Sequence, residues 1–376
     1  MILNTTSGVF AVYRFLGNTS ALGKMWGDKD MLSLKNSMLP KFVIAGALIF
    51  TSGDTAVAGQ NLRYATWDPP QHEWIKFGVD RWIKSIGEVT SGRVNVKKLA
   101  KGLGAPPAYH DFIRKGAIDV AHIIPAYTPG RLELHKVAEF PFLANSAKAR
   151  TVAYWRVYEK HFKRVNEASG MKLLNVGVHG GGLIHNTVRP ITKMSDLKGL
   201  KLRVSGDNVS GMAKGMGATP LFASILKVHN MLSKGVADGV FLTFEGVKNF
   251  KLGKLVKYTT VPPGGLYATV FQMYMNQKVW DGISKGDQKL IESVSGEAGA
   301  QYIGAAWELA DENGIKHMKE MGIQIVDMPP AFVAKAKEIW KPLQAQWMAK
   351  AKQKGVDGEA ALAMMKAEIA RVEAGK

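Results

Sequence analysis

Arg203 has the side chain and setting best suited to ionic chemistry. It lies in Gly199-Leu200-Lys201-Leu202-Arg203-Val204, where Leu200, Leu202 and Val204 share one face of an extended segment and Lys201 and Arg203 share the other. Gly206 follows closely, so the arginine stands near the end of a strand, where α/β sheets open into clefts. A guanidinium offers a planar fork of donors that matches a carboxylate in a bidentate way. On these features alone an ordinary surface ion pair is the commoner outcome. A second arrangement is Gly282-Ile283-Ser284-Lys285-Gly286, which fits the G-x-S-x-G nucleophile elbow of serine hydrolases, with His317 downstream. That elbow needs a buried strand before the serine, and Gln277-Lys278-Val279-Trp280-Asp281 is too polar to be one. The plainer reading makes Ser284 a helix cap.

Most other reactive chemistry is excluded by residue type or spacing. Cysteine is absent, which removes thiol nucleophiles, thiolate-held clusters and cysteine zinc sites. The nine histidines (72, 110, 122, 135, 161, 179, 185, 229, 317) contain no i,i+4 pair, so a helix-borne metal site has weak support, and no metal or cofactor is expected. There is no phosphate-binding G-x-x-x-x-G-K-[ST] loop and no H-E-x-x-H. Ser195-Asp196-Leu197-Lys198 and Ser224-Ile225-Leu226-Lys227 match S-x-x-K without a downstream K-T-G and read as helix starts.

The elements that must position these residues follow from composition and periodicity. A chain of 376 residues exceeds the usual size of a single core, and 46% hydrophobic with 22% charged residues is a globular balance. The net charge of +19 raises nucleic acid, a membrane surface or an anionic ligand as partners. The lysines are spread without a run of five or more, so a solvated basic surface is the simpler reading and no nucleic-acid partner is expected.

The beginning of the chain carries a targeting pattern. Lys35 and Lys41 precede an apolar run from Phe42 to Phe50, and Ala56-Val57-Ala58 is an A-x-A cleavage box. Residues 31–58 therefore read as a secretory signal peptide. Residues 1–30 lack this character and read as an upstream extension of the reading frame, with the start at Met31 or Met38.

Downstream, strand and helix signals alternate, which predicts an α/β architecture with partly parallel sheets. Leu62, Tyr64 and Thr66 alternate as a strand. Ile75, Val79, Trp82 and Ile86 form one stripe of a helix from about His72 to Val89. Strands are expected at Val94–Val96, 117–124, Lys172–Val178, 199–204 and 236–241. Helices are expected at 108–115, Gly211–Met216, Ala223–Lys234 and Glu359–Val372, with a turn at Ala218-Thr219-Pro220. From Asp287 to about Met321 a long helix is expected, with Leu290, Val294, Ala298, Tyr302, Ala305 and Leu309 in register; at that length it either brackets two domains or breaks at Gly314. No Pro/Gly/Ser-rich linker separates two halves, so several chain crossings are expected to join them.

With these segments in order, the chain resembles the solute receptors of tripartite ATP-independent periplasmic (TRAP) transporters, the dicarboxylate-receptor-like family. Four stretches carry the resemblance, which spans Asn61 to about Trp340. They are Thr90-Ser91-Gly92-Arg93-Val94; Gly116-Ala117-Ile118-Asp119-Val120 with Tyr127-Thr128-Pro129-Gly130-Arg131 and Glu139-Phe140-Pro141-Phe142-Leu143; Asp196 to Val204 with Gly217-Ala218-Thr219-Pro220; and Gly235-Val236-Ala237-Asp238-Gly239. The resemblance implies a two-lobe periplasmic binding protein with a ligand cleft between the lobes and a long helix bracketing both. Lobe I is expected at 59–180 plus about 269–312, and lobe II at 181–268 plus about 313–376. It implies that Arg203 clamps a small organic acid, that the protein is not an enzyme, and that the partners are the membrane subunits of a TRAP permease.

Departures from the family pattern bear on the ligand. Sialate-binding members carry an arginine in the loop that here reads His179-Gly180-Gly181-Gly182-Leu183, and this chain has none there. The E-N pair common after the fourth stretch is here Phe241-Leu242, and the usual Glu before the helix at Val228 is Lys227. Trp67, Tyr127, Phe241 and Phe244 are then candidate cleft residues, with His72 and His179 as hydrogen-bond donors. A monocarboxylate with an apolar or aromatic body is the expected ligand. A secreted hydrolase using Ser284 is the alternative, and an ABC-type receptor of similar shape a third reading.

Overall fold

The computed structural model describes residues 59–375; the expected signal peptide and the segment before it lie outside the described residues. In chain order the elements are β1 (Gln60–Ala65), a π-helical turn Trp74–Val79 running into α1 (Asp80–Val89), β2 (Val94–Lys98), α2 (Tyr109–Arg114), β3 (Val120–Ile123), α3 (Ala147–Val157), β4 (Met171–Val178), β5 (Leu183–Asn186), β6 (Lys201–Val204), α4 (Asp207–Gly215), β7 (Thr219–Phe222), α5 (Val228–Ser233), β8 (Gly239–Leu242), α6 (Phe244–Asn249), β9 (Tyr258–Val261) and β10 (Val270–Asn276). The remainder is α7 (Gln277–Asp281), α8 (Lys285–Ser293), α9 (Gly296–Glu320), β11 (Gln324–Asp327), α10 (Pro330–Gln353) and α11 (Gly358–Glu373).

The strands form two mixed sheets, ordered β2-β1-β3-β10-β4 and β11-β9-β5-β8-β6-β7. In the first, β1 runs parallel to β2 and β3, and β10 is antiparallel to β3 and β4. In the second, β6 is parallel to β7 and β8, and β5 is antiparallel to β8 and β9. The chain passes between the sheets after β4, after β9 and through α9. Local sequence explains the elements that matter. Every residue of β3 and β10 is buried, so both read as continuous runs with no polar alternation. The stripe Ile75, Val79, Trp82 and Ile86 is fully buried, as its spacing requires.

Two expectations are corrected. The long helix is two helices: the chain breaks at Gly296, whose φ of +60° is strained for a side-chain-bearing residue, and Gly314 lies mid-helix. There a Cβ would stand 2.4 Å from the Phe244 carbonyl carbon, so glycine permits contact between α9 and α6, not a break. The register also differs. Leu290 and Leu309 are exposed, while Ile303, Trp307, Ala310 and Met318 are buried, because small residues let α9 lie close on α3 and β4. Second, Thr219-Pro220 belongs to β7 and not to a turn; β7 is an edge strand, which tolerates a proline lacking an N–H. The C-terminal helix α11 packs on α3.

Candidate functional site

The loops and strand ends between the two sheets line a cavity that opens to solvent, with about 420 Å³ of free space counting the open solvent at its mouth. Trp67 and Asp68 follow β1, Tyr127 follows β3, and His179 follows β4. Arg203 sits on β6, Leu242 ends β8 and Glu245 opens α6. Ligand sites in open α/β sheets collect at such strand ends because the backbone there fans apart.

Arg203 is 1% exposed and projects into this cavity from β6. Its Nε donates to the Ala223 carbonyl at 2.8 Å, Nη2 to the Tyr127 hydroxyl at 3.3 Å, and Nη1 reaches the Phe241 carbonyl only at 3.5 Å. No ion pair forms with it among the described residues. The surface ion pair that sequence features alone favoured is therefore not what forms. Arg150 provides the contrast: equally buried, it donates to the carbonyls of Ala138, Phe140, Ala144 and Gly264, and burial pushes its guanidinium down to about 9. Carbonyls engage four of the five N–H donors of Arg150, whereas Arg203 has three bonds, one of them at 3.5 Å, and keeps donors for something else.

Tyr127 adds a second donor. Its oxygen accepts from the Ile225 N–H at 3.0 Å and from Arg203, so its own O–H has no acceptor among the described residues. Burial holds this hydroxyl above the ordinary tyrosine value, and it stays protonated at neutral pH.

The histidines differ from each other. His179 Nδ1 lies 2.7 Å from the Gly180 carbonyl, which can only accept, so Nδ1 carries the hydrogen and Nε2 is an acceptor. Burial lowers His179 to about 4, so the ring is neutral. The expectation that it donates to a ligand through its free nitrogen is thereby reversed. His72 Nε2 lies 2.9 Å from Glu245 Oε2. Burial opposes its charge, but Glu245, Asp68 and Glu73 outweigh burial and raise it above the ordinary histidine value. The Trp74 amide also approaches Nδ1, at a long 3.3 Å, and opposes protonation less than three carboxylates favour it. Glu245 is correspondingly lowered, since His72 outweighs the effect of burial.

Two candidates fall outside the cavity. Phe241 is fully buried with its ring against Tyr267, because side chains alternate along β8 and its neighbour Leu242 takes the cavity face. Phe244 packs into a separate core with Leu183, Val228 and Val247. Sequence reasoning missed Asp68, Tyr267, Phe271 and Trp307, which line the same space. Asp68 adjoins Trp67 and could have been found from it. Tyr267, Phe271 and Trp307 arrive from the late crossing and from α9, and no local signal marks them.

Ser284 is the N-cap of α8: its oxygen accepts from the Asp287 N–H at 3.0 Å and donates to Asp287 Oδ2 at 2.9 Å. His317 lies instead against Gly253, and the helix α7 precedes Ser284 where an elbow needs a strand. The hydrolase reading fails on this geometry.

Two mixed sheets joined by three crossings, with a partly open cavity at their strand ends, define a solute-binding receptor. The chain belongs to the bacterial extracellular solute-binding protein family 7, whose model matches residues 65–351. It is 31% identical to the outer membrane transporter protein TsaT of Comamonas testosteroni, over 80% of this chain and 89% of that one. A TRAP periplasmic solute-binding protein from Bordetella bronchiseptica, solved with (R)- and (S)-mandelate, is 35% identical with a TM-score of 0.81, covering 83% of this chain and 99% of that one. A TRAP solute-binding protein from Rhodoferax ferrireducens, solved with copurified benzoate, is 27% identical with a TM-score of 0.76, covering 83% and 98%. The chain is thus a solute-binding protein of the TRAP type. Among the described residues no helix is long and apolar enough to cross a membrane.

Proposed function

We propose that this protein is a periplasmic receptor that captures a small aromatic monocarboxylate and delivers it to the membrane subunits of a TRAP permease, without chemistry of its own. The observation that carries the reading is the Arg203 guanidinium, buried at 1% exposure with no ion-pair partner among the described residues. Burying such a charge unpaired is costly, so the closed arrangement is favoured when an anion supplies the missing partner. The Tyr127 O–H is free to donate to the same carboxylate. The rings of Trp67, Tyr267, Phe271 and Trp307 offer an aromatic wall that suits an apolar ligand body. Mandelate and benzoate in two neighbours point the same way.

In this reading lobe I comprises 59–180, about 269–312 and the C-terminal helix, and lobe II comprises most of the rest. Closure brings Tyr127 to Arg203 and His72 to Glu245, and the permease distinguishes the closed form from the open one. The test is calorimetry with benzoate and mandelate. Arg203→Ala should fold and lose affinity by about 100-fold or more, the scale on which a desolvated charge pair contributes. Unchanged affinity would overturn the proposal.

A further inference from the structure

We propose that Asp68 reads a hydroxyl group on the bound acid, so that the preferred ligand is a hydroxylated aromatic monocarboxylate, neither an unsubstituted acid nor a dicarboxylate. This rests on the carboxylate reading above and concerns the part of the cavity that Arg203 does not serve.

Asp68 lines the cavity and is 7% exposed. All its side-chain contacts fall on one oxygen. Trp74 Nε1 donates to Oδ2 at 3.2 Å, the Thr66 hydroxyl approaches Oδ2 at 3.4 Å, and His122 Nε2 lies 2.9 Å from Oδ2, off the line of a good hydrogen bond. Oδ1 has no partner among the described residues. A carboxylate oxygen that no protein donor engages, on a residue that lines a binding cavity, is open to a donor on the ligand. Next to it, Trp67 lines the same cavity, and its indole N–H is buried without an acceptor. One unmatched acceptor and one unmatched donor on adjacent residues call for a group that both donates and accepts. A hydroxyl does both; an aromatic amine donates but accepts poorly. The neutral His179 adds a further acceptor on Nε2.

The charge pattern points to the same class. Burial opposes ionisation of Asp68, but His122 and His72 outweigh it, and the carboxyl stays below its ordinary value. The Tyr127 hydroxyl feels both charges, lowered by Arg203 and raised by Asp68. The cavity is therefore polar in the electrical sense, with a cation that attracts one carboxylate and an anion that repels a second.

Calorimetry on the wild-type chain with benzoate, 3-hydroxybenzoate, 4-hydroxybenzoate, mandelate and isophthalate tests this directly. At least one hydroxylated acid should bind about tenfold or more tighter than benzoate, and isophthalate more weakly than benzoate, since a site built to pair with a hydroxyl discriminates against its absence. Asp68→Ala should erase that preference, the hydroxylated acids losing about tenfold more affinity than benzoate does. If that variant does not fold, Asp68→Asn, which keeps the volume and the Trp74 contact, should reduce the preference. Equal binding of benzoate and every hydroxylated acid by the wild type, tight isophthalate binding, or an equal loss for all ligands in the Asp68 variants would overturn the inference and leave the role of Arg203 intact. A wild-type chain that binds none of these acids would overturn the carboxylate reading, and this inference with it.

Discussion

Spare donors separate Arg203 from Arg150, which is just as buried but has four of its five N–H donors engaged by carbonyls. Arg203→Lys keeps the charge but loses the planar fork, so it should still weaken binding by about tenfold or more, measured by the same calorimetry. The His72–Glu245 pair gives a pH signature. His72 is raised above its ordinary 6.5 on folding, so its contribution to stability is complete below that value and is lost as pH rises through the folded-state value. Glu245 is lowered below its ordinary 4.5, so its contribution holds above that value and is lost as pH falls through the folded-state value. The pair therefore stabilises most between these limits. Replacing His72 by Gln should flatten the alkaline side of the melting-temperature profile; an unaltered profile would contradict the pairing. At this scale the place of Arg203 at a strand end beside the cavity was legible, but its burial without an ion pair was not, since residue type and strand position alone favour a surface pair. Phe241 was misread because one step along a strand reverses the face, and only the pairing of β8 with β5 and β6 decides which side meets the cavity.

Strands were the more readable elements, since β1 and β4 carry their burial pattern locally. The long helix was not. Its expected stripe of larger side chains is the wrong one, because α9 is packed through Gly299, Gly304 and Gly314, and absence of a side chain leaves no hydrophobic periodicity to detect. Close packing here has a testable cost. In Gly314→Ala the new Cβ would meet Phe244 backbone, which cannot rotate away, at the element that carries Glu245. The expected loss is about 1–3 kcal/mol, the scale of overpacking, seen as a lowered thermal midpoint. A midpoint equal to the wild type would show that α6 and α9 are not held at this distance. The edge strand β7 was also hidden, since proline and threonine beside Gly217 mimic a turn.

Across the whole molecule, sheet order and crossings could not be derived from local pattern; they follow from how the strands pair, and the order and spacing of four weak motifs supplied what periodicity did not. The same molecule carries a net charge of +19, spread without clusters. An anionic solute should therefore associate faster than a neutral one, with an on-rate that falls as salt rises. Stopped-flow fluorescence can follow this through Trp67 and Trp307, which line the cavity; an on-rate indifferent to salt would remove the long-range field from the account. The most direct measurement is a crystal structure of the protein with a bound aromatic acid. The account predicts the ligand carboxylate within about 3 Å of both the Arg203 guanidinium and the Tyr127 hydroxyl. A carboxylate seated elsewhere, with Arg203 still held only by Ala223, Phe241 and Tyr127, would contradict it.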